Sequence, residues 1–373
     1  MASYRRIAIA VFVAAGMVGS ALAWFEGTGP ALAQDEPSAD SQAPAPVAAR
    51  KLQSAGININ NTGWGRPTRP MPPEALDALA RSGAAWVRVT LPWSVIQRNE
   101  NGPEDWTSID RFVMALRSKN LNILMDVKSP PCWARADRSL PCQSPARRGY
   151  IPRRDLWKQF LSEAVRHYKG QVTYWEIWNE PNYSHNFYLS DVRNNADIRF
   201  SEYARRVLVP AAQAVHAADP DAKVAAPVVG ASAGSTSPEE FADRLRLALG
   251  GGAARLVDVV TMHVYPPGDP IAYGEAARRA MAELGIADRP LWVTETGMRY
   301  SGFGASMGLS GPPQYLSDLF ERNFSSRKPV FDKIFWFALL DGKRNRYGLL
   351  NDDWSPRPAY SALRDLSADS SIP

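Results

Sequence analysis

The segment YWEIWNEPN, Tyr174 to Asn182, places Glu180 directly after an apolar, aromatic-rich run. A second carboxylate, Glu295, stands in LWVTETG, from Leu291, at the close of another apolar run. Aromatic and β-branched residues favour strands, so both glutamates are expected at strand ends where water is scarce. A carboxylate buried there without a partner is costly and tends to take up a proton. Two that face each other divide the roles. At about 5 Å and an effective dielectric constant of about 20 their repulsion is roughly 3 kcal/mol, so one can keep its proton near neutral pH while the other ionises. Such a pair is the minimal equipment for cleaving a glycosidic bond. One group protonates the leaving oxygen and the other attacks the anomeric carbon; a separation of about 5 to 5.5 Å suits this direct attack.

Something must hold these groups together. Eight β-rich runs recur: GININ from Gly56, WVRVTLPW from Trp86, NILMDVK from Asn122, VTYWEIWNE from Val172, KVAAPVV from Lys223, VDVVTMHVYP from Val257, LWVTETG from Leu291 and KIFWFALLD from Lys333. Helix-like segments separate them, several opening on Pro, Ser or Asp and closing at Gly or Asn, as caps require. Strands alternating with helices imply parallel pairing with crossovers. Eight units over this length predict an α/β fold, a single (β/α)₈ TIM barrel; an open doubly wound sheet is the lesser alternative. No Gly-rich phosphate loop follows the first strand, which argues against a nucleotide fold. Barrel chemistry sits at the C-terminal ends of the strands. Asn179 and Glu180 end the fourth, His263 and Tyr265 the sixth and Glu295 the seventh, while Arg88 lies on the second and Trp336 on the eighth.

With these residues in place, WNEPN after the fourth strand and TETG after the seventh resemble the retaining glycoside hydrolases of clan A. The resemblance runs from about Gly56 to Leu366 and includes the tail YGLLNDDWSPRPAYSAL from Tyr347. It implies that Glu180 is the acid/base and Glu295 the nucleophile. It further implies that Asn179 meets the sugar 2-hydroxyl, Arg88 supports the nucleophile, Tyr265 hydrogen-bonds it and Trp336 forms a sugar platform. Within the clan, family 39 and similar bacterial exopolysaccharide hydrolases look nearest. Such an enzyme needs no cofactor, and its partner is a polysaccharide or oligosaccharide. Sugar identity, linkage and endo or exo cleavage stay open, since loops decide them.

Other readings stand beside this one. GASAG, Gly230 to Gly234, matches the Gly-x-Ser-x-Gly elbow of serine hydrolases with Ser232 as nucleophile. That elbow needs a helix to start at the serine, whereas STSP intervenes here, and His263 follows Asp258 too closely on one strand for a triad. A non-catalytic polysaccharide-binding barrel would usually lose one glutamate, and both are present. His263 could bind sugar or simply pack. Trp64, Trp93, Trp133 and Trp178 could stack on sugars or fill the core; Asn58 and Asn60 could meet hydroxyls or make turns. Lys128 could be a rim charge only.

The chain has 373 residues, of which 45% are apolar, and its basic residues exceed the acidic ones by five. That excess is mild, and no Lys/Arg run with interleaved aromatics suggests nucleic-acid binding. Arg5 and Arg6 precede an apolar run from Ile7 to Phe25, with ALA sites at Ala21–Ala23 and Ala31–Ala33. This predicts an export signal over residues 1–33, with a retained membrane anchor as the alternative. A Pro/Ala/Ser-rich linker over 34–52 and a barrel over 53–368 follow. The barrel is expected outside the cytoplasm, periplasmic or secreted. There Cys132 and Cys142 in CWARADRSLPC would form one disulfide, and no histidine spacing completes a metal site. Arg135, Arg138, Arg147, Arg148, Arg153 and Arg154 after the third strand, with Lys343, Arg344 and Arg346 after the eighth, place positive charge on the expected rim. Such charge concentrates anionic ligands, so an acidic polysaccharide is a candidate substrate; solvated loop arginines are the alternative.

Overall fold

Strands and helices alternate from Ala55 onward in the computed structural model. It describes residues 53–59, 70–139, 150–188, 195–231, 236–300, 311–340 and 346–366. The chain divides into two units, Met1–Pro44 and Ala45–Pro373, and every described residue belongs to the second. The expected signal and linker, Cys142, Ser232, Asn60 and Trp64 all lie outside the described residues. No helix among the described residues is long and apolar enough to cross a membrane.

The strands are β1 (Ala55–Asn58), β2 (Trp86–Pro92), β3 (Asn122–Lys128), β4 (Tyr174–Ile177), β5 (Lys223–Ala231), β6 (Val259–Val264), β7 (Leu291–Thr296) and β8 (Lys333–Phe337). Each pairs in parallel with the next, and β1 pairs with β8, closing the barrel. The crossovers carry α1 (Pro73–Arg81), the short α2 (Trp93–Ile96), α3 (Thr107–Arg117), α4 (Arg154–His167), α5 (Ala196–Tyr203), α6 (Val209–Ala218), α7 (Pro238–Ala248), α8 (Pro270–Glu283) and α9 (Pro312–Phe324), and α10 (Pro358–Asp365) follows β8. The expected (β/α)₈ barrel is therefore the fold, and the open sheet is excluded.

Local chemistry starts the helices, α7 at the expected Ser237 cap and α8 three residues before the expected start at Tyr273. The Ser237 hydroxyl accepts from Glu240 N at the head of α7, and the Asp269 carboxylate from Ile271 N at the head of α8. Prolines occupy their first positions, where the missing N–H costs nothing. The N-terminal end of the barrel is plugged. Trp86, Tyr174 and Trp292 point inward with ring centroids 5.0–5.2 Å apart, and Lys333 Nζ lies 4.5 Å from the Trp86 ring. Gly56 leaves room for Phe335, because a Cβ there would lie 2.3 Å from that ring. With one end filled by aromatics, the polar interior can reach solvent only at the C-terminal mouth.

Candidate active site

Arg88 is the post on which the mouth is built. Its side chain is fully buried. Nε donates to Glu176 Oε2, Nη1 to Glu295 Oε1 at 2.6 Å and Nη2 to Asn179 Oδ1 at 2.9 Å, with Asp126 Oδ2 3.6 Å away. Asp126 also accepts from Thr90 at 3.0 Å and pairs with Lys128 Nζ at 2.5 Å. Burial opposes the guanidinium's charge most strongly, but Glu176, Asp126 and Glu295 outweigh it and keep Arg88 charged. Burial likewise raises the Glu176 carboxyl above its usual range. Sequence reasoning did not single out Glu176 or Asp126, although each is a carboxylate inside an otherwise apolar strand.

Glu295 gathers the rest. Oε1 accepts from Asn58 Nδ2 at 3.2 Å and Oε2 from the Tyr265 hydroxyl at 2.9 Å. Burial again opposes ionisation most, yet His263, Arg88, Lys128 and the Tyr265 hydroxyl together hold Glu295 below the ordinary carboxylate range. Burial and the neighbouring glutamates push the Tyr265 phenol well up, so it stays a donor. The aim of Glu295 is not a matter of simple alternation. Trp292 points inward, so strict alternation would turn the residue three positions on toward the helices. The β7–β8 register shifts between Val293 and Thr296, and Glu295 faces the mouth while Thr296 reaches outward to the Tyr315 hydroxyl at 2.8 Å.

Glu180 lies beyond the strand on which it was expected. β4 ends at Ile177, pinned by the Tyr203 hydroxyl donating to its carbonyl at 2.6 Å. The backbone then enters the left-handed region at Trp178 and again at Glu180. Arg199 Nε holds the following turn through Asn182 O at 2.9 Å. This double turn brings Glu180 Oε1 to 3.2 Å from His263 Nδ1, which lies 3.5 Å from Glu295 Oε2. Carboxylate oxygens of Glu180 and Glu295 thus come within 4.8 Å of one another. The side chains are 20% and 12% exposed, so both remain reachable. Among the described residues, Glu180, His263 and Glu295 are the one group whose atoms could also hold a metal ion.

Gly230 sets the position of Glu180. A Cβ at Gly230 would lie 2.8 Å from Glu180 Oε1 and 3.3 Å from Asn182 Oδ1, the atom that accepts from Gly230 N. Gly230, the first residue of the possible serine elbow, is therefore the seat of a glutamate. Asp258 bonds His216 Nε2 at 2.9 Å and Val224 N at 2.8 Å while His263 faces Glu180, so no Asp258–His263 pair forms. Gly230→Ala should cost little stability, since the obstructed atom ends a flexible side chain. It should lower kcat/KM about 100-fold, because a displacement near 1 Å is enough to spoil catalytic geometry. Steady-state rates beside thermal melts check this; an unimpaired rate would show that Glu180 needs no such seat.

Trp336, expected as a platform, is corrected. It is 1% exposed, donates its indole N–H to Tyr347 O at 3.0 Å and packs toward Tyr315 of α9. The strand-eight aromatic near the mouth is its neighbour Phe337, with ring centroids 6.2 Å from Tyr265 and 5.9 Å from Tyr347. Phe337 and Tyr347 escaped sequence reasoning; counting alternate residues along FWF could have separated the two aromatics. Trp93 and Trp178 are core residues, and Trp133 is partly buried against the core. Asn58 and Lys128 belong to the site.

Compared by sequence, the chain matches no protein-family model and no curated protein. Its structure is similar to a family 39 glycoside hydrolase from Bacteroides cellulosilyticus WH2 (TM-score 0.59, 17% identity, 86% of this chain and 64% of that one). A Thermotoga maritima β-glucosidase (TM-score 0.57, 14% identity, 80% and 86%) and a family 10 glycoside hydrolase from Paenibacillus barcinonensis (TM-score 0.52, 19% identity, 87% and 98%) have similar folds. The chain thus spans less than two thirds of the family 39 protein. At these identities the shared feature is the barrel fold.

Proposed function

We propose that the protein is an exported glycosidase that cleaves a polysaccharide or oligosaccharide with retention of anomeric configuration. One observation carries this reading: two carboxylates meet within 4.8 Å at the barrel mouth, and one of them is held ionised. Retaining enzymes place the pair about 5–5.5 Å apart, whereas inverting ones leave about 6.5–9.5 Å for a water. Glu295 attacks the anomeric carbon as the bond to the leaving oxygen breaks, and Glu180 gives that oxygen its proton. A water then yields a proton to Glu180 and attacks the same carbon, releasing Glu295. Asn179, oriented by Arg88, supplies a group for the sugar 2-hydroxyl, and Phe337 takes the aromatic role first expected of Trp336. The clan A neighbours support a carbohydrate substrate, and among them family 39 is the placement we favour.

The acid role separates from the nucleophile's in one experiment. Glu180→Gln should lose about 10²–10⁴-fold in kcat/KM on aryl glycosides with poor leaving groups and far less on those with good ones. Proton NMR of the first-formed wild-type product should show the substrate's own anomeric configuration. An inverted product, or a loss independent of the leaving group, would sink the mechanism.

Export is proposed from the N-terminal pattern, and the Cys132–Cys142 bridge from the compartment it implies. The intact mass of protein recovered outside the cytoplasm checks both. It should begin after Ala23 or Ala33 and be two hydrogens lighter than the free dithiol. An uncleaved chain in the membrane fraction favours the anchor, and two free thiols remove the bridge.

A further inference from the structure

Part of the basic charge expected on the rim is taken up by other groups. After β3, Arg138 Nη2 lies 2.9 Å from Glu100, and Arg153 pairs with Asp155 at 2.9 Å and Glu100 at 3.6 Å. Arg135 donates to Cys132 O and Arg138 O. Arg147, Arg148, Lys343 and Arg344 lie outside the described residues. Arg154 and Arg346 of the expected set are exposed, and a further exposed arginine stands four residues beyond Glu295. Arg299 is exposed, and among the described residues no carboxylate pairs with it. Its guanidinium carbon lies 5.2 Å from the centroid of the Tyr347 ring. That ring is 5.5 Å from Tyr265, whose hydroxyl bonds Glu295. Gly297 permits the arrangement, since a Cβ there would lie 2.5 Å from Phe337 O and 3.3 Å from Tyr347 Cδ1. Exposed Arg346 is brought alongside by Tyr300 N bonding to its carbonyl at 3.0 Å, also with no carboxylate partner among the described residues. A wall of Tyr265, Tyr347 and Arg299 therefore leads outward from the nucleophile.

We propose that Arg299 is a specificity-determining residue that binds a carboxylate on the sugar chain, and that the substrate is a uronic-acid-bearing polysaccharide. The inference rests on the glycosidase reading above. Stacking on Tyr347 orients the planar guanidinium while leaving N–H edges for a carboxylate, to which two parallel hydrogen bonds fit. Arg346 adds positive potential beside it, which draws anionic polymer toward the mouth and weakens with salt.

The test uses a panel of β-linked glucuronic- and mannuronic-acid polymers, each beside its carboxyl-reduced, neutral counterpart. For at least one pair, kcat/KM on the acidic member should exceed that on the reduced one by about 10- to 100-fold, the range of a charged hydrogen-bonding contact. Arg299→Gln should abolish that ratio through the acidic member alone and flatten its salt dependence. Arg299→Lys should recover part of it, since charge remains but the fork is lost. Equal or better cleavage of the reduced member in every pair, no cleavage of any acidic member, or an Arg299→Gln variant that keeps the ratio would overturn the inference. A neutral aryl glycoside cleaved by wild type and not by Glu295→Ala reports separately on the glycosidase reading.

Discussion

Glu295→Ala is expected to lower kcat by on the order of 10⁵-fold on every substrate, because removing the attacking group removes the covalent step itself. The barrel should survive. Arg88 keeps Glu176 and Asp126 as partners, so no buried charge is abandoned. The stability change carries a pH signature of known sign. Glu295 titrates below the ordinary carboxylate range when folded. Its contribution is therefore present above the unfolded carboxylate value of about 4.3 and is lost as pH falls through the folded value. The melting temperatures of wild type and Glu295→Ala should differ most near neutrality and converge in acid. Glu295→Gly with added azide gives the positive control. The anion enters the vacated space, attacks the anomeric carbon from the side Glu295 occupied, and yields a glycosyl azide of inverted configuration. Undiminished turnover in Glu295→Ala would end the two-glutamate mechanism, and Ser232→Ala would then test the esterase alternative.

Arg88→Met should be the most damaging single change to the fold. It leaves Glu176 and Asp126 at the bottom of the mouth without their shared cation, and breaking a buried pair in this way costs about 3–5 kcal/mol. For a domain of this size the melting temperature should fall on the order of 10 °C. The loss should depend on pH. Burial already raises the Glu176 carboxyl, and without Arg88 it rises further. A raised carboxyl binds its proton more tightly when folded, so its stabilising contribution is present in acid and lost as pH rises through the folded value. The variant should therefore be nearest to wild type at low pH and furthest from it near neutrality. Catalysis reports the same change. Arg88 is one of the groups holding Glu295 ionised, so the acid limb of kcat/KM should move to higher pH. Melts and pH–rate profiles of soluble variant check both effects, and an unshifted acid limb would remove Arg88 from the support of Glu295.

Sequence and tertiary structure contributed different kinds of information. The barrel was legible because its strands and helices carry their own periodicity, caps and prolines, all of which are local. Glu180, Glu295, Arg88, Asn179 and Tyr265 were legible too: a polar side chain in or just after an apolar run is conspicuous, and a barrel has one end at which such residues gather. The structure brings these five together with His263 and Asn58 around a single mouth. Phase was not legible. Period two predicts that Trp336 and Phe337 face opposite ways but not which of them faces inward, and the pairing of Asn58 with Phe337 across β1–β8 decides it. The inward aim of Glu295 depends on a register shift between two strands, which neither strand encodes alone. Gly230 reads as the first position of a serine elbow until the carboxylate of Glu180, 50 positions earlier in the chain, is seen to fill the space its missing Cβ leaves. Charge behaved likewise. Arginines can be counted in a sequence, but whether a carboxylate cancels them is a distance, and distances between separate loops exist only once the chain has folded.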